Sequence, residues 1–344
     1  MEDQEQDLTD FIRRVTQGEH LTVAEAEAAF DTFMDGTATP VLMAALLAGL
    51  RTKDVVATEV AGGVRALQKA MIQVPAEAPD TLVDTAGTGG GNVTTFNIST
   101  AAALVAAGAG VRLAKHGNRS YSSRSGSADV LEALGVRIDL TPERMGEVLA
   151  ETGIVFMFAP LLHPAMRYVG PVRRELRIPT IMNLLGPLTN PAGARRQVVG
   201  VADPHLVPLV VQTLAELGHH RALVVHGFPG MDELSPLGPT RVAELGAGGV
   251  SEYEVTPEAL GVAVHPAEGL AGGEPEDNAR KILEVLEGKD RTAGRAAVVL
   301  NAAAAVYVAE GARNLAEGVR AAEEALDSGA ARDTLEALKA ATNR

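Results

Sequence analysis

Four glycines within five residues, Gly87, Gly89, Gly90 and Gly91, stand in the stretch DTAGTGGGNVTTFNIST, residues 84–100. A short apolar run, Leu82-Val83, precedes them, and a long apolar, helix-compatible run begins near Ile98. Strand, glycine loop and helix start in that order make an anion site. Glycine lets the backbone approach a ligand closely, and the N–H groups and dipole of a helix start favour negative charge. Asn97, Ser99 and Thr100 add side-chain donors and candidate caps. The loop is neither of the common nucleotide signatures: Asn92 stands where G-x-G-x-x-G needs its third glycine, and no Gly-Lys-[Ser/Thr] follows. Alone, such a loop also serves as a plain turn.

A second loop makes the anion reading stronger. KHGNRSYSSRSGSADVLEALG, residues 115–135, carries Lys115, Arg119 and Arg124 with Ser120, Ser122, Ser123, Ser125 and Ser127, just before an apolar helical run. Two donor-rich loops, each after a short apolar strand, suit a ligand with more than one phosphate. The adjacent carboxylates Asp232 and Glu233 follow another apolar run. On a surface they are solvated charges; beside phosphates they would hold Mg²⁺, which takes one or two carboxylates and completes its octahedron with phosphate oxygens and water. In FMFAPLLHPAMRYVGPVRRELRIP, residues 156–179, a run with His163 leads to Arg167, Arg173 and Arg174. That cationic face would either be solvated or bind a carboxylate through a bidentate arginine.

The elements that position these loops follow from periodicity. Residues 1–73 read as helical throughout, with Thr22 an N-cap and Pro40 opening a helix. The segment 74–79, with two prolines, reads as a linker. Beyond it, strands are predicted at 81–84, 111–113, 154–158, 197–202, 222–226 and 262–264. Helices are predicted at 98–108, 127–134, 142–152, 205–217 and 276–287, then through 292–309 and 314–341. This alternation predicts an α/β class with a mostly parallel central sheet, next to a small all-helical domain. Right-handed crossovers would gather the loops along one sheet edge. Residues 164–190 interrupt the order.

The 344-residue chain has a net charge of −14 and 3% aromatic residues, with no Cys and no Trp. Disulfides, thiolate zinc and cysteine nucleophiles are excluded. The acidic balance argues against nucleic-acid and anionic-membrane binding. The apolar run 101–111 is too short to span a bilayer, and the acidic start MEDQEQDL is unlike a secretory signal. A soluble, cytoplasmic protein is the expectation.

GTGGxxxxTFNIST, KHGNRSxSSxSGSADVLEALG, FAPxxHPAM, PVRRELxxxTxxNLLGPLTNP and MDELSxxGPT occur in this order. Together they resemble the anthranilate phosphoribosyltransferase family of tryptophan biosynthesis. The resemblance implies transfer of phosphoribose from phosphoribosyl pyrophosphate (PRPP) to the amino group of anthranilate, with pyrophosphate released. It implies a nucleoside phosphorylase-like fold, with a helical domain at 1–74 to which 165–190 returns and an α/β domain at 80–164 and 191–344. It also implies a homodimer joined through the helical domains. By the same resemblance PRPP would meet Gly87, Gly89, Gly90, Gly91, Thr95, Asn97, Ile98, Ser99 and Thr100, and from the second loop Lys115, His116, Gly117, Asn118, Arg119, Ser120, Ser122, Ser123 and Ser127. Anthranilate would meet Gly87, His116, Asn118, Arg173, Gly186 and Pro187, and Mg²⁺ would meet Ser99, Asp232 and Glu233. Lys115 and Arg119 would stabilise the departing pyrophosphate. One position departs: the family's glycine loop usually ends GTGGD, and here Gly91 takes the place of the aspartate. Two other readings remain at this point, a pyrimidine nucleoside phosphorylase-like enzyme and a non-catalytic nucleic-acid-binding relative.

Overall fold

A computed structural model describes residues 2–91, 93–120, 124–264 and 266–344. Four helices come first: α1 (Glu2–Thr16), α2 (Val23–Met34), α3 (Pro40–Lys53) and α4 (Ala57–Ala70). Thr22 caps α2 in a reciprocal box with Glu25, and Pro40 stands in the first turn of α3 behind the N-cap Thr39. The apolar faces of these helices pack Phe30, Phe33, Leu46, Leu47 and Val64 into one buried core. Glu59, fully buried, accepts from the Leu21 N–H and pairs with Lys53 at 2.8 Å, tying α4 to the α1–α2 turn.

The rest alternates: β1 (Val83–Gly87), α5 (Ile98–Gly108), β2 (Leu113–Gly117), α6 (Ser127–Ala133), α7 (Pro142–Thr152), β3 (Ile154–Phe158), the short α8 (Ala159–Leu162), α9 (Met166–Leu176), the short α10 (Met182–Leu185), β4 (Arg196–Gly200), α11 (Leu206–Glu216) and β5 (Arg221–Gly227). A hairpin, β6 (Thr240–Gly246) and β7 (Gly249–Val255), and four helices, α12 (Pro275–Leu286), α13 (Ala293–Val308), α14 (Leu315–Asp327) and α15 (Ala330–Thr342), complete the chain. The sheet order is β3-β2-β1-β4-β5-β6-β7; neighbours among the first five strands are parallel and the last two pairings antiparallel.

Two expectations fail here. Residues 262–264 form no strand. Val262 is buried against the main core from an irregular segment after the left-handed Gly261, so the run is apolar because it packs beneath other elements. The β6–β7 hairpin is absent from the predicted elements. Residues 249–254 are exposed, so β7 lacks the buried, apolar alternation by which a strand is read.

One face of the sheet packs on α5, α13 and the C-terminal helices. Val199, Val201, Val224 and Ala243 on the other face share a core with α11 and the helical bundle. In the interruption, α9 packs on α2 and α3, and α10 on α4. The chain crosses between the two parts at neighbouring points: Ile72 N–H donates to the Leu162 carbonyl at 2.8 Å and Val74 N–H to the Pro191 carbonyl at 3.0 Å.

Candidate active site

At the end of β1, Gly89 (φ +66°) and Gly90 (φ +81°) take the left-handed conformation and turn the chain toward α5. The next parallel strand, β2, ends in the second loop, so both loops emerge at the same sheet edge. The acidic segment crosses the strand ends beside them. It can do so because β1, β4 and β5 each end in glycine. A Cβ at Gly87 would lie 2.6 Å from Asp232 Oδ2, one at Gly200 1.5 Å from the Asp232 carbonyl oxygen, and one at Gly227 2.3 Å from that of Glu233. Asn301 fixes the segment from α13, exchanging hydrogen bonds of 3.0 Å with the N–H and carbonyl of Leu234.

Asp232 Oδ2 accepts from the Gly89 N–H at 2.9 Å, so the carboxylate reaches the glycine loop itself. Burial holds the Asp232 carboxyl above its ordinary range, and burial with the neighbouring Asp232 charge pushes Glu233 well above its own. Glu233 Oε2 is buried without a hydrogen-bond partner. Thr85, Ser99, Asp232, Glu233 and Asn301 line one small cavity. Two crowded carboxylates, an unpaired oxygen and a hydroxyl fit a hard divalent cation. No group of three His, Cys, Asp or Glu side chains suited to a metal occurs among the described residues. The set therefore suits a cation that shares its shell with phosphate and water, as Mg²⁺ does.

The cationic residues of the second loop differ in exposure: Lys115 is buried, whereas Arg119 and Arg124 are exposed. Lys115 is buried on β2; its Nζ donates to the Thr85 carbonyl at 2.5 Å and Thr85 Oγ1 at 3.2 Å, and lies 3.4 Å from Ser99 Oγ. Burial lowers its pKa to about 8 against the supporting charge of Asp84, whose own carboxyl burial raises to about 6. Arg119 is exposed and donates to Asp129 at 2.7 Å and Glu132 at 2.5 Å on α6. Asp129 Oδ2 also accepts from the N–H groups of Ser120 and Gly126 and so shapes the loop. Asn118 presents its carbonyl to Ser127 Oγ at 3.3 Å. A Cβ at Gly117 would meet Ser127 Oγ at 2.3 Å. Ser122 and Ser123 lie outside the described residues. Thr100 Oγ1, in the first turn of α5 after Ile98, is buried without a partner. Thr95 bridges to Ala271, and a Cβ at Gly91 would sit 2.9 Å from the Gly230 carbonyl oxygen and 3.6 Å from Asp232 Oδ1.

Beyond the second loop lies a cavity of about 760 Å³ between the end of β2 and the α8–α10 segment. His116, Asn118, Arg173 and Gly186 line it, whereas Gly87 and Pro187 do not; the Pro187 carbonyl instead accepts from Gln197 Nε2 at 2.6 Å. Its walls combine apolar groups such as Leu67, Met166 and Ile178 with three arginines besides Arg173: Arg167, Arg174 and Arg177. His116 Nε2 and His163 Nε2 stand 3.1 Å apart. Desolvation lowers both rings, His116 to about 3 with the help of His163 and His163 to about 4, so the pair is neutral at pH 7. An apolar-walled cavity with cationic groups and neutral imidazoles suits a small aromatic carboxylate.

Fold and site together define a glycosyl transferase. The family model described as "Glycosyl transferase family, a/b domain" matches residues 79–332, and that described as "Glycosyl transferase family, helical bundle domain" matches residues 9–71. The anthranilate phosphoribosyltransferase of Rubrobacter xylanophilus is 53% identical over 329 residues, 96% of each chain. The crystal structure of the anthranilate phosphoribosyltransferase from Thermus thermophilus superposes with a TM-score of 0.91 at 45% identity, covering 97% of this chain and all of that one. The Saccharomyces cerevisiae enzyme in complex with PRPP and Mg superposes with a TM-score of 0.88 at 27% identity, covering 98% of each. The chain belongs to the anthranilate phosphoribosyltransferase family.

Several contributors escape a reading of the sequence. Asn301 is the one polar residue in the apolar run 296–306 of an alanine- and valine-rich helix, a signal that could have found it. Thr85, Asp84 and Arg177 carry none.

Proposed function

We propose that the chain transfers phosphoribose from PRPP to the amino group of anthranilate, releasing pyrophosphate, with the residues above in the roles now described. The observation that carries this is the junction at the end of β2. His116, near the end of β2, and Asn118, the first residue of the second loop, both line the cavity, and that loop would take the phosphates. An acceptor in the cavity and a donor on the loops would therefore meet across one strand end.

The amine of anthranilate is neutral at pH 7 and already nucleophilic, so the protein must position it more than activate it. Arg173 would hold the carboxylate, with Gly186 and Asn118 beside the ring. The C1′ carbon loses pyrophosphate through an oxocarbenium-like state, as in glycoside cleavage, and stabilising the leaving group is the main task. Lys115 would act from beneath, holding Thr85 and Ser99 in place. Arg119 would exchange Asp129 and Glu132 for the pyrophosphate. Asp232, Glu233 and Ser99 would hold Mg²⁺, which supplies charge neutralisation for the departing phosphates. The amine proton then passes to solvent or pyrophosphate.

The helical domain, residues 1–74 with 165–190, would serve as the homodimer surface; Val41 on α3, 75% exposed, supports it. The described residues contain no helix long and apolar enough to cross a membrane. A cytoplasmic setting without nucleic-acid contacts accords with a net charge of −14.

The test is the loss of anthranilate fluorescence on mixing protein, PRPP, Mg²⁺ and anthranilate. Loss that requires both PRPP and Mg²⁺ is expected. No loss with folded protein would overturn the reading.

A further inference from the structure

Asn278 on α12 belongs to none of the motifs, yet it touches the site. It is 3% exposed. Its Oδ1 accepts from the Gly273 N–H at 2.8 Å, and its Nδ2 donates to Asn97 Oδ1 at 2.9 Å. The same Asn97 oxygen accepts from Ser125 Oγ at 3.1 Å, and Asn97 Nδ2 donates to the Ser125 carbonyl at 3.1 Å. Asn97 closes the glycine loop at the start of α5, and Ser125 stands in the second loop just before α6. One half-buried amide, Asn97, thus joins the two loops, and the buried Asn278 anchors it to a third segment 181 residues away. The backbone around this knot is also tied: Phe96 N–H donates to the Leu270 carbonyl at 3.0 Å and Gly272 N–H to the Thr94 carbonyl at 3.2 Å. Gly272 has no room for a side chain, since a Cβ would lie 2.3 Å from the Thr95 carbonyl oxygen.

We propose that Asn278 is a positioning residue for PRPP, setting the separation of the two loops through Asn97. This rests on the PRPP reading above. A ligand with two phosphate-bearing ends needs the loops at a fixed distance, and the cost of ordering them falls on binding when they are not fixed beforehand. The side-chain oxygen of Asn97 has two lone pairs and receives two donors, so losing Asn278 leaves a half-buried acceptor short of a partner and frees the joint.

Asn278 also holds the Gly273 N–H at the approach to α12, and a purely structural role would reside there. Asn278→Asp separates the two roles: the carboxylate still accepts from Gly273 but cannot donate to Asn97. We expect Asn278→Asp to raise the KM for PRPP about tenfold, with the KM for anthranilate within about twofold of wild type; the buried carboxylate also lowers the melting temperature, which by itself would not separate the two KM values. A double-mutant cycle adds a second reading. If both residues act through Asn97, Asn278→Ala and Ser125→Ala together raise the KM for PRPP by less than the product of their separate effects. An unchanged KM for PRPP in Asn278→Asp, an equal rise for both substrates, or effects that multiply would each overturn the inference. Should Asn278→Ala not fold, Asn278→Asp decides. A wild type that turns over no PRPP overturns the proposed function itself, whereas an active wild type beside an unaffected Asn278→Asp overturns only this role.

Discussion

Asp232 and Glu233 are adjacent, partly buried and like-charged, and both are held above their ordinary pKa ranges. Such a pair costs stability when no cation is present. Asp232→Asn with Glu233→Gln should therefore raise the melting temperature without Mg²⁺ while abolishing Mg²⁺-dependent turnover. Unchanged Mg²⁺ titration curves would show that the pair is not a metal site. Arg173 shares its cavity wall with Arg167, Arg174 and Arg177, so its loss is partly covered by neighbouring charge. Arg173→Ala should raise the KM for anthranilate about tenfold, the cost of one charged hydrogen-bonding partner, and leave that for PRPP nearly unchanged. Equal losses for both substrates would count against the role. At Gly91 the residue's own surroundings explain part of the departure from the family pattern. Any side chain there must pass the Gly230 carbonyl oxygen, and an added carboxylate would stand close to Asp232.

Helix α4 shows how packing overrides propensity. Gly62 lies inside it, where alanine would gain about 1 kcal/mol of helix propensity. A Cβ there would sit 2.5 Å from both Ala26 Cβ and the Val23 carbonyl oxygen and 2.7 Å from the Glu27 nitrogen, and backbone cannot step aside. Overpacking costs about 1–3 kcal/mol, so Gly62→Ala should destabilise the protein on balance; urea unfolding would show it, and a stabilised variant would mean that α2 and α4 part easily. The same competition decides what is legible in the sequence. A long apolar run, as in α5, and a capped helix with one apolar face, as in α7, are predicted at 98–108 and 142–152 and occur there. The first two strands are predicted two residues early because the apolar run begins before the ladder does. The hairpin escapes because its outer strand is exposed, and Val262 misleads because burial alone makes it apolar. In the site, local motifs expose the loops and the carboxylates. Asn278 and Asn301 act on partners 181 and 67 residues away, a relation that only the fold creates.

At the scale of the molecule the helical bundle and one sheet face form a continuous core, while the chain crosses between the two parts at three neighbouring places. The His116–His163 pair lies at this junction, on the end of β2 and just before α9, and its neutrality ties stability to pH. The ordinary histidine pKa is 6.5; desolvation lowers His116 to about 3, and His163 and His219 to about 4. The unfolded chain therefore takes up protons that the folded chain refuses. These histidines favour folding fully above pH 6.5, and that contribution is lost as pH falls from 6.5 toward 4. For His163 the difference corresponds to about 3 kcal/mol, a large share of a net stability of about 5–15 kcal/mol. Buried acids oppose the trend. Asp84, raised to about 6, Asp232 and Glu233 bind protons more readily folded than unfolded, so their penalty at neutral pH is relieved as pH falls through their raised values. Wild-type stability mixes both signs, and a variant separates them. His163→Gln retains the acids, so the difference between wild type and variant in urea unfolding isolates one member of the histidine pair. That difference should shift against the wild type by up to about 1.4 kcal/mol per pH unit between pH 6.5 and 4. If the two stability curves run parallel across that range, His163 is not held neutral and the junction is indifferent to its charge.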